Sequence, residues 1–330
     1  MNPRFAIVAV LDRCDAKCVM CNIWKEHQRD ETSLSYFNTL PESLRSVNVT
    51  GGEPFMRQDL AEVIRIIDKR CHHPRILISS NGFNTKKILN KTEEILGISR
   101  RVGLRLSVDG YEDTHDRIRG VPGGFERCMT TLWGLKNLGV KDLGLSFTIS
   151  PANLDDLAKI YHLSRHLNVE FTLTVAQNSE FYFKTKNNVF DLDREKLQIQ
   201  FDELVSNELK AFHPKRWFRA YYDKGVYDYG TGKRVLKNCS AGKDFFFSSA
   251  RGEIYPCPVL NEKIGDAGNG NFETVWKSEQ AKVARNIAKN CSVKCWMTCT
   301  VAPYFRHHFI SIAWWILRNK LKAHMGLDVL

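Results

Sequence analysis

Six short runs of β-branched and other apolar residues recur along the first half of the chain, near 5–11, 46–50, 75–79, 103–108, 143–149 and 169–175. Between them lie stretches with helical periodicity, such as Asp59-Leu60-Ala61-Glu62-Val63-Ile64-Arg65-Ile66-Ile67. Asn153 or Asp155 is placed to cap another helix running through 166. This alternation predicts βα units around a parallel sheet, because parallel neighbours need a crossover long enough to hold a helix. Six units predict an α/β fold, a partial (βα)6 TIM-like barrel. In barrels of that kind the chemistry gathers at the C-terminal ends of the strands.

A chain of 330 residues has room for such a barrel and an appendage. Ten cysteines would suggest disulfides in a small secreted domain, but this chain is large and begins with no signal peptide, so their clustering suggests metal in a reducing cytosol. Forty-eight Lys plus Arg against thirty-seven Asp plus Glu leave +11, which favours anionic partners without choosing among phosphorylated substrates, nucleic acid or lipid. No apolar run approaches the roughly twenty residues that span a bilayer.

The strand ends carry the chemistry. After the first run come Cys14, Cys18 and Cys21, a C-x3-C-x2-C triplet on a loop that can turn three thiolates toward one point. A zinc loop or three unrelated buried cysteines would give the same letters. After the second run, Thr50-Gly51-Gly52-Glu53-Pro54-Phe55 offers two glycines for close backbone approach and a carboxylate able to accept from an ammonium group; a plain turn is the alternative. The third and fourth runs end in Ser79-Ser80-Asn81-Gly82 and Ser107-Val108-Asp109-Gly110, small polar groups suited to a pocket wall, although Asp109 equally suits a turn. Arg119 could pair with a carboxylate or phosphate, and a solvated ion pair is the expected role.

From about 185 the βα rhythm fades. Residues 191–212 read as one amphipathic helix, and Trp217 to Tyr229 as an aromatic, basic bridge whose Tyr221, Tyr222 and Tyr227 either pack or face a cavity. A second thiol group follows: Cys239, then an Arg251-Gly252 hairpin turn that returns Cys257 toward it, a helix near 278–289, and Cys291, Cys295 and Cys299. Trp296 is expected to shield a cluster from solvent. A closed zinc knot is the competing use of these thiols. Cys71 and Cys128 read as packing cysteines.

The triplet, its order and the following GGEP resemble the radical S-adenosylmethionine (SAM) superfamily. That resemblance implies the partial barrel, a four-iron cluster held by Cys14, Cys18 and Cys21, and SAM on its open iron, cleaved to methionine and a 5′-deoxyadenosyl radical. It implies that Gly51, Gly52 and Glu53 position SAM, with Ser107 and Thr148 as further contacts, and that an electron donor such as flavodoxin or ferredoxin is needed. Met20 stands where the family usually has an aromatic residue, and it can still pack on adenine. The C-x12-G-x4-C step from Cys239 to Cys257 resembles the SPASM/twitch extension, implying one auxiliary 4Fe–4S cluster. Cys239 and Cys257 are its firmest ligands, Cys295 and Cys299 are favoured next, and Cys291 competes.

The expected organisation is a core over 1–185, a bridging helical segment over 186–238, a small cysteine-rich α+β cluster domain over 239–305 and a terminal amphipathic helix over 306–330. That helix pairs Trp314-Trp315 with basic flanks. It suits docking on the protein's own core or, alternatively, lying on an anionic bilayer, which would make a cytoplasmic protein peripheral to the inner membrane surface. His307 and His308 read as solvated. The functional expectation is a radical SAM enzyme acting on a small, lipid-linked or sugar-like molecule. Peptide maturation is the alternative, disfavoured by the thirteen residues before Cys14. The rival of another class is a zinc protein that binds nucleic acid; it leaves GGEP unexplained, and no specific nucleic acid is expected.

Overall fold

The computed structural model describes residues 2–26, 31–188, 192–233, 236, 239–268, 271–293 and 295–330. Six strands, β1 (Phe5–Ala9), β2 (Ser46–Thr50), β3 (Arg75–Ser80), β4 (Val102–Ser107), β5 (Asp142–Ile149) and β6 (Glu170–Val175), pair side by side in parallel. β7 (Phe245–Ser248) joins the free edge of β1, also in parallel, and β8 (Glu253–Tyr255) and β9 (Gly265–Asp266) continue antiparallel, giving the order β6-β5-β4-β3-β2-β1-β7-β8-β9. The cysteine-rich region therefore shares one sheet with the first half. The sequence boundary at 238 lies outside the described residues.

The strands form because their side chains are buried; Ala6 to Ala9 and Val102 to Leu106 are buried without interruption, as strands covered on both faces require. One charged residue in that row, Arg105, pairs with Asp142 at 2.7 Å, and the same carboxylate takes Arg75 at 2.6 Å. These pairs tie β3, β4 and β5 together near the ends opposite the thiol triplet.

The crossovers are α1 (Leu34–Phe37), α2 (Leu60–Arg70), α3 (Thr85–Ile98), α4 (Asp113–Arg119), α5 (Gly124–Asn137) and α6 (Leu157–His166). Two long helices follow, α7 (Arg194–Lys210) and α8 (Pro214–Gly230). α7 starts where Asp193 accepts from the N–H groups of Glu195 and Lys196, each at 3.1 Å. The start expected at 191 lies outside the described residues. The stretch expected as a bridge is α8, opened by Pro214. Its Tyr222 and Tyr227 are buried and pack. α9 (Phe272–Lys277), α10 (Glu279–Lys289), α11 (Thr298–His307) and α12 (Phe309–His324) complete the chain, with α12 packed on α7 and α8.

Candidate active site

A cavity of about 230 Å³ opens at the C-terminal ends of the parallel strands, lined by Cys14, Cys18 and Cys21, by Thr50, Gly51 and Gly52, and by Asn81, Ser107 and Thr148. The thiol triplet and the strand-end motifs meet at one place. The chain before Cys14 is fixed by the double glycine: the N–H of Gly52 donates to the carbonyl of Leu11 at 2.9 Å, and that of Glu53 to Arg13 at 2.8 Å. Gly51 has φ +145°, and a Cβ on Gly52 would stand 2.0 Å from the Arg13 carbonyl oxygen, so no side chain fits there. On its other side the loop is held by α4, where the carbonyls of Ile118 and Arg119 accept from Val19 at 2.9 Å and Lys17 at 2.8 Å.

Glu53 is 2 % exposed and does not line the cavity. Its carboxylate accepts from the N–H of Phe55 (3.1 Å), the hydroxyl of Ser80 (2.9 Å) and the N–H of Asn81 (2.7 Å). Three donors leave about one of its four acceptor positions free. Burial pushes its carboxyl up to about 7 despite these bonds. In this arrangement the residue braces the Ser80-Asn81 turn. Asn81 in turn donates to Asp15 at 2.6 Å, beside Cys14.

Two expectations change here. Arg119 is not in a solvated pair: its side chain is 12 % exposed, meets the fully buried Asp109 at 2.6 Å, and reaches the sulfur of Cys18 at 3.5 Å. Asp109 also accepts from the N–H of Thr148 at 2.7 Å, so it links two strand ends. Cys128 packs, as expected, but it also backs the site, its thiol donating to the Asn81 carbonyl at 2.8 Å. Cys71 is simply buried at the end of α2.

Sequence reasoning missed the far wall. Residues 177–188, after β6, fold over the thiol loop: Phe183 accepts from the Asn22 N–H at 2.8 Å, and the Asn188 amide donates to the Met20 carbonyl at 3.0 Å. Tyr182 shares a hydrogen bond with the Thr50 hydroxyl at 3.1 Å, and Gln177, Tyr182, Phe183 and Met297 line the cavity. Met297 stands between Cys295 and Cys299, so the second cysteine region reaches the first site. The local signs were slight, an Asn178-Ser179 pair after β6 and Asn187-Asn188 beyond it.

The second thiol group surrounds a cavity of about 20 Å³, whose wall includes Cys239, Cys257, Cys291 and Cys295. Cys299 does not line it but packs with Cys239 and Cys257. The sulfur of Cys257 accepts from the Leu260 N–H at 3.2 Å. Trp296 is fully buried against α8, donating to the Tyr222 carbonyl at 2.8 Å.

Among the described residues no three His, Cys, Asp or Glu side chains close tightly enough to hold one metal ion. A four-iron cluster makes a different demand, since each thiolate binds its own iron and the sulfurs stand apart. The first group fits it, with three thiols around a cavity that has space beyond them. Burial raises Cys14 and pushes Cys21 up to about 11, and a bound metal offsets such a penalty by stabilising the thiolate. The second group fits by donor set, with four of its five thiols on the wall of one small cavity.

The radical SAM superfamily description matches residues 8–163. The chain is 29 % identical to an AdoMet-dependent heme synthase of Methanosarcina barkeri, over 72 % of this chain and 69 % of that one. It is 24 % identical to the mycofactocin maturase MftC of Mycolicibacterium smegmatis, over 81 % and 68 %. The crystal structure of Streptococcus suis SuiB bound to S-adenosylmethionine superposes with a TM-score of 0.61 at 16 % identity, covering 84 % of this chain and 66 % of that one, a likeness of fold.

Proposed function

We propose, because residues 8–163 are a radical SAM domain, that this chain cleaves S-adenosylmethionine in the strand-end cavity and abstracts a hydrogen atom from a substrate bound beside it. The observation that carries the reading is the convergence of Cys14, Cys18 and Cys21 with Gly51, Gly52, Ser107 and Thr148 on one cavity wall. In this proposal the three thiols hold the cluster and leave one iron open. When bound, that cluster supplies the electron that splits S-adenosylmethionine to methionine and a 5′-deoxyadenosyl radical.

The protein's residues set the geometry. The backbone of Gly51 and Gly52 approaches the cofactor without a side chain in the way, and Glu53 and Asn81 hold that wall in register with Cys14. Ser107 and Thr148 offer hydroxyls to ribose or carboxylate. Tyr182, Phe183 and Met297 form an apolar lid that keeps water from a reactive carbon radical. The thiols from Cys239 to Cys299 are proposed to bind an auxiliary cluster, and the organisation into core, bridge, cluster region and terminal helix is proposed with it. A flavodoxin or ferredoxin is the proposed electron source.

The proposed substrate is a small molecule, sugar-like or lipid-linked. Modification of a peptide is the second reading, supported by the likeness to a mycofactocin maturase. Anaerobic reconstitution followed by iron, sulfide and zinc analysis, with 5′-deoxyadenosine measured under dithionite, tests the core of the proposal. Iron with deoxyadenosine formation that Cys18→Ala abolishes is expected; a colourless protein holding only zinc overturns it.

A further inference from the structure

α12 has two apolar faces. Ile312, Ile316, Asn319 and Ala323 are buried and dock the helix on α7 and α8, with Trp315 edge-on to Tyr221 at 5.2 Å. On the opposite side Ile310, Trp314, Leu317 and Leu321 are 85, 70, 61 and 67 % exposed, and their spacing of four, three and four residues makes one continuous stripe. Met325 extends it and is also exposed. The sequence posed core docking and a bilayer surface as alternatives; the structure satisfies the first with one face and leaves the second face uncovered.

We propose that this stripe lies on the surface of an anionic lipid bilayer, independently of the radical chemistry. At 16 residues, α12 is about 24 Å long, short of the roughly 30 Å hydrocarbon core, and among the described residues no helix is long and apolar enough to cross a membrane. A helix in the interfacial plane needs a solvent-facing apolar stripe, an aromatic anchor and cationic flanks. The stripe supplies the first two. Arg306, Arg318 and Lys322 supply the third, and residues 306–327 contain no Asp or Glu; Lys320 instead faces the protein, donating to the Leu209 and Ala211 carbonyls.

That charge pattern also chooses between occupants. Pairing the stripe with a second copy would set two helices bearing only positive charge against each other, which opposes a coiled-coil seam. An anionic headgroup layer meets the same cations favourably.

Flotation of the full-length reconstituted protein with vesicles of phosphatidylcholine alone, or with added phosphatidylglycerol, tests the proposal. The protein is expected to float with the anionic vesicles, to be released by high salt, and to show a blue-shifted tryptophan emission when bound. Trp314→Ser combined with Leu317→Ser, both on the exposed face, is expected to keep the native melting curve and to weaken binding by roughly tenfold to a hundredfold. Arg318→Glu with Lys322→Glu is expected to remove the preference for anionic lipid. Failure of the wild-type protein to float, or equal binding by the double-serine variant, overturns the proposal. So does a dimer that the double-serine variant turns into a monomer, since that assigns the stripe to a second copy.

Discussion

Arg119 and Asp109 pair at 2.6 Å in the interior, the carboxylate with no exposure at all. The pair joins the end of α4 to the turn after β4, and Arg119 extends from it to Cys18. Breaking a buried pair from one side strands a charge, which costs about 3–5 kcal/mol. Asp109→Asn is therefore expected to destabilise the cluster-free chain by that amount in urea titrations. Asp109→Leu with Arg119→Leu is expected to recover most of the loss, because neither charge is then left alone. A cost below about 1 kcal/mol for Asp109→Asn would show that the two groups are not coupled.

Gly51→Ala and Gly52→Ala test the wall nearest the triplet. The added methyl would meet the Leu11 oxygen at 2.3 Å in the first case and the Arg13 oxygen at 2.0 Å in the second. Both obstacles are backbone, so the segment leading to Cys14 must move. Each variant is expected to lose about 1–3 kcal/mol in melting experiments and to take up less iron on reconstitution than wild type. Normal iron uptake by both would mean that this contact does not position the triplet.

The six parallel strands were legible within a residue or two, β1 and β4 as nearly continuous buried runs and β2, β3 and β6 as strict alternation of buried with less buried residues. The triplet and GGEP were legible because their spacing is local. Arg119 was misplaced because arginine is ordinarily exposed, and only the fold reveals that Asp109 lies inside with it. Tyr182 and Met297 come from segments 115 residues apart in sequence, and no periodicity announces that they share a wall. α8 did leave a trace: Pro214 opens it, and Phe218, Tyr222, Val226 and Tyr229 follow at helical spacing. Aromatic residues suit strands as well, which hid that period.

His115 gives the fold a specific acid sensitivity. It is fully buried, its Nδ1 accepts from the Asp109 N–H at 3.2 Å, and burial, aided by Arg119, pushes its imidazolium down to about 3 from an ordinary 6.5. A proton therefore binds the unfolded chain more readily than the folded one. The stability that neutral His115 contributes is complete above pH 6.5 and is lost as pH falls toward 3, with a slope approaching 1.4 kcal/mol per pH unit. Melting curves of wild type and His115→Gln across that window are expected to show a shallower acid limb for the variant. Parallel limbs would rule out His115 as a source of the slope.

Trp296 anchors the second thiol region to α8. Its ring is fully buried, its N–H donates to the Tyr222 carbonyl at 2.8 Å, and it touches Tyr221 and Tyr304. Cys295 precedes it and Met297, a wall of the first cavity, follows. Trp296→Leu removes both the hydrogen bond and much of the ring volume, a loss of about 3–5 kcal/mol if it resembles other large-to-small changes. The loss falls on the attachment of residues 295–299 to α8, while Cys14, Cys18 and Cys21 are held by Gly52, α4 and residues 177–188. The variant is accordingly expected to lose the iron assigned to the second thiol group and to keep that of the first. Iron analysis of Trp296→Leu beside Cys18→Ala would resolve the two contributions. Loss of all iron in Trp296→Leu would mean that the two thiol groups form as one unit, with Met297 as the coupling between them.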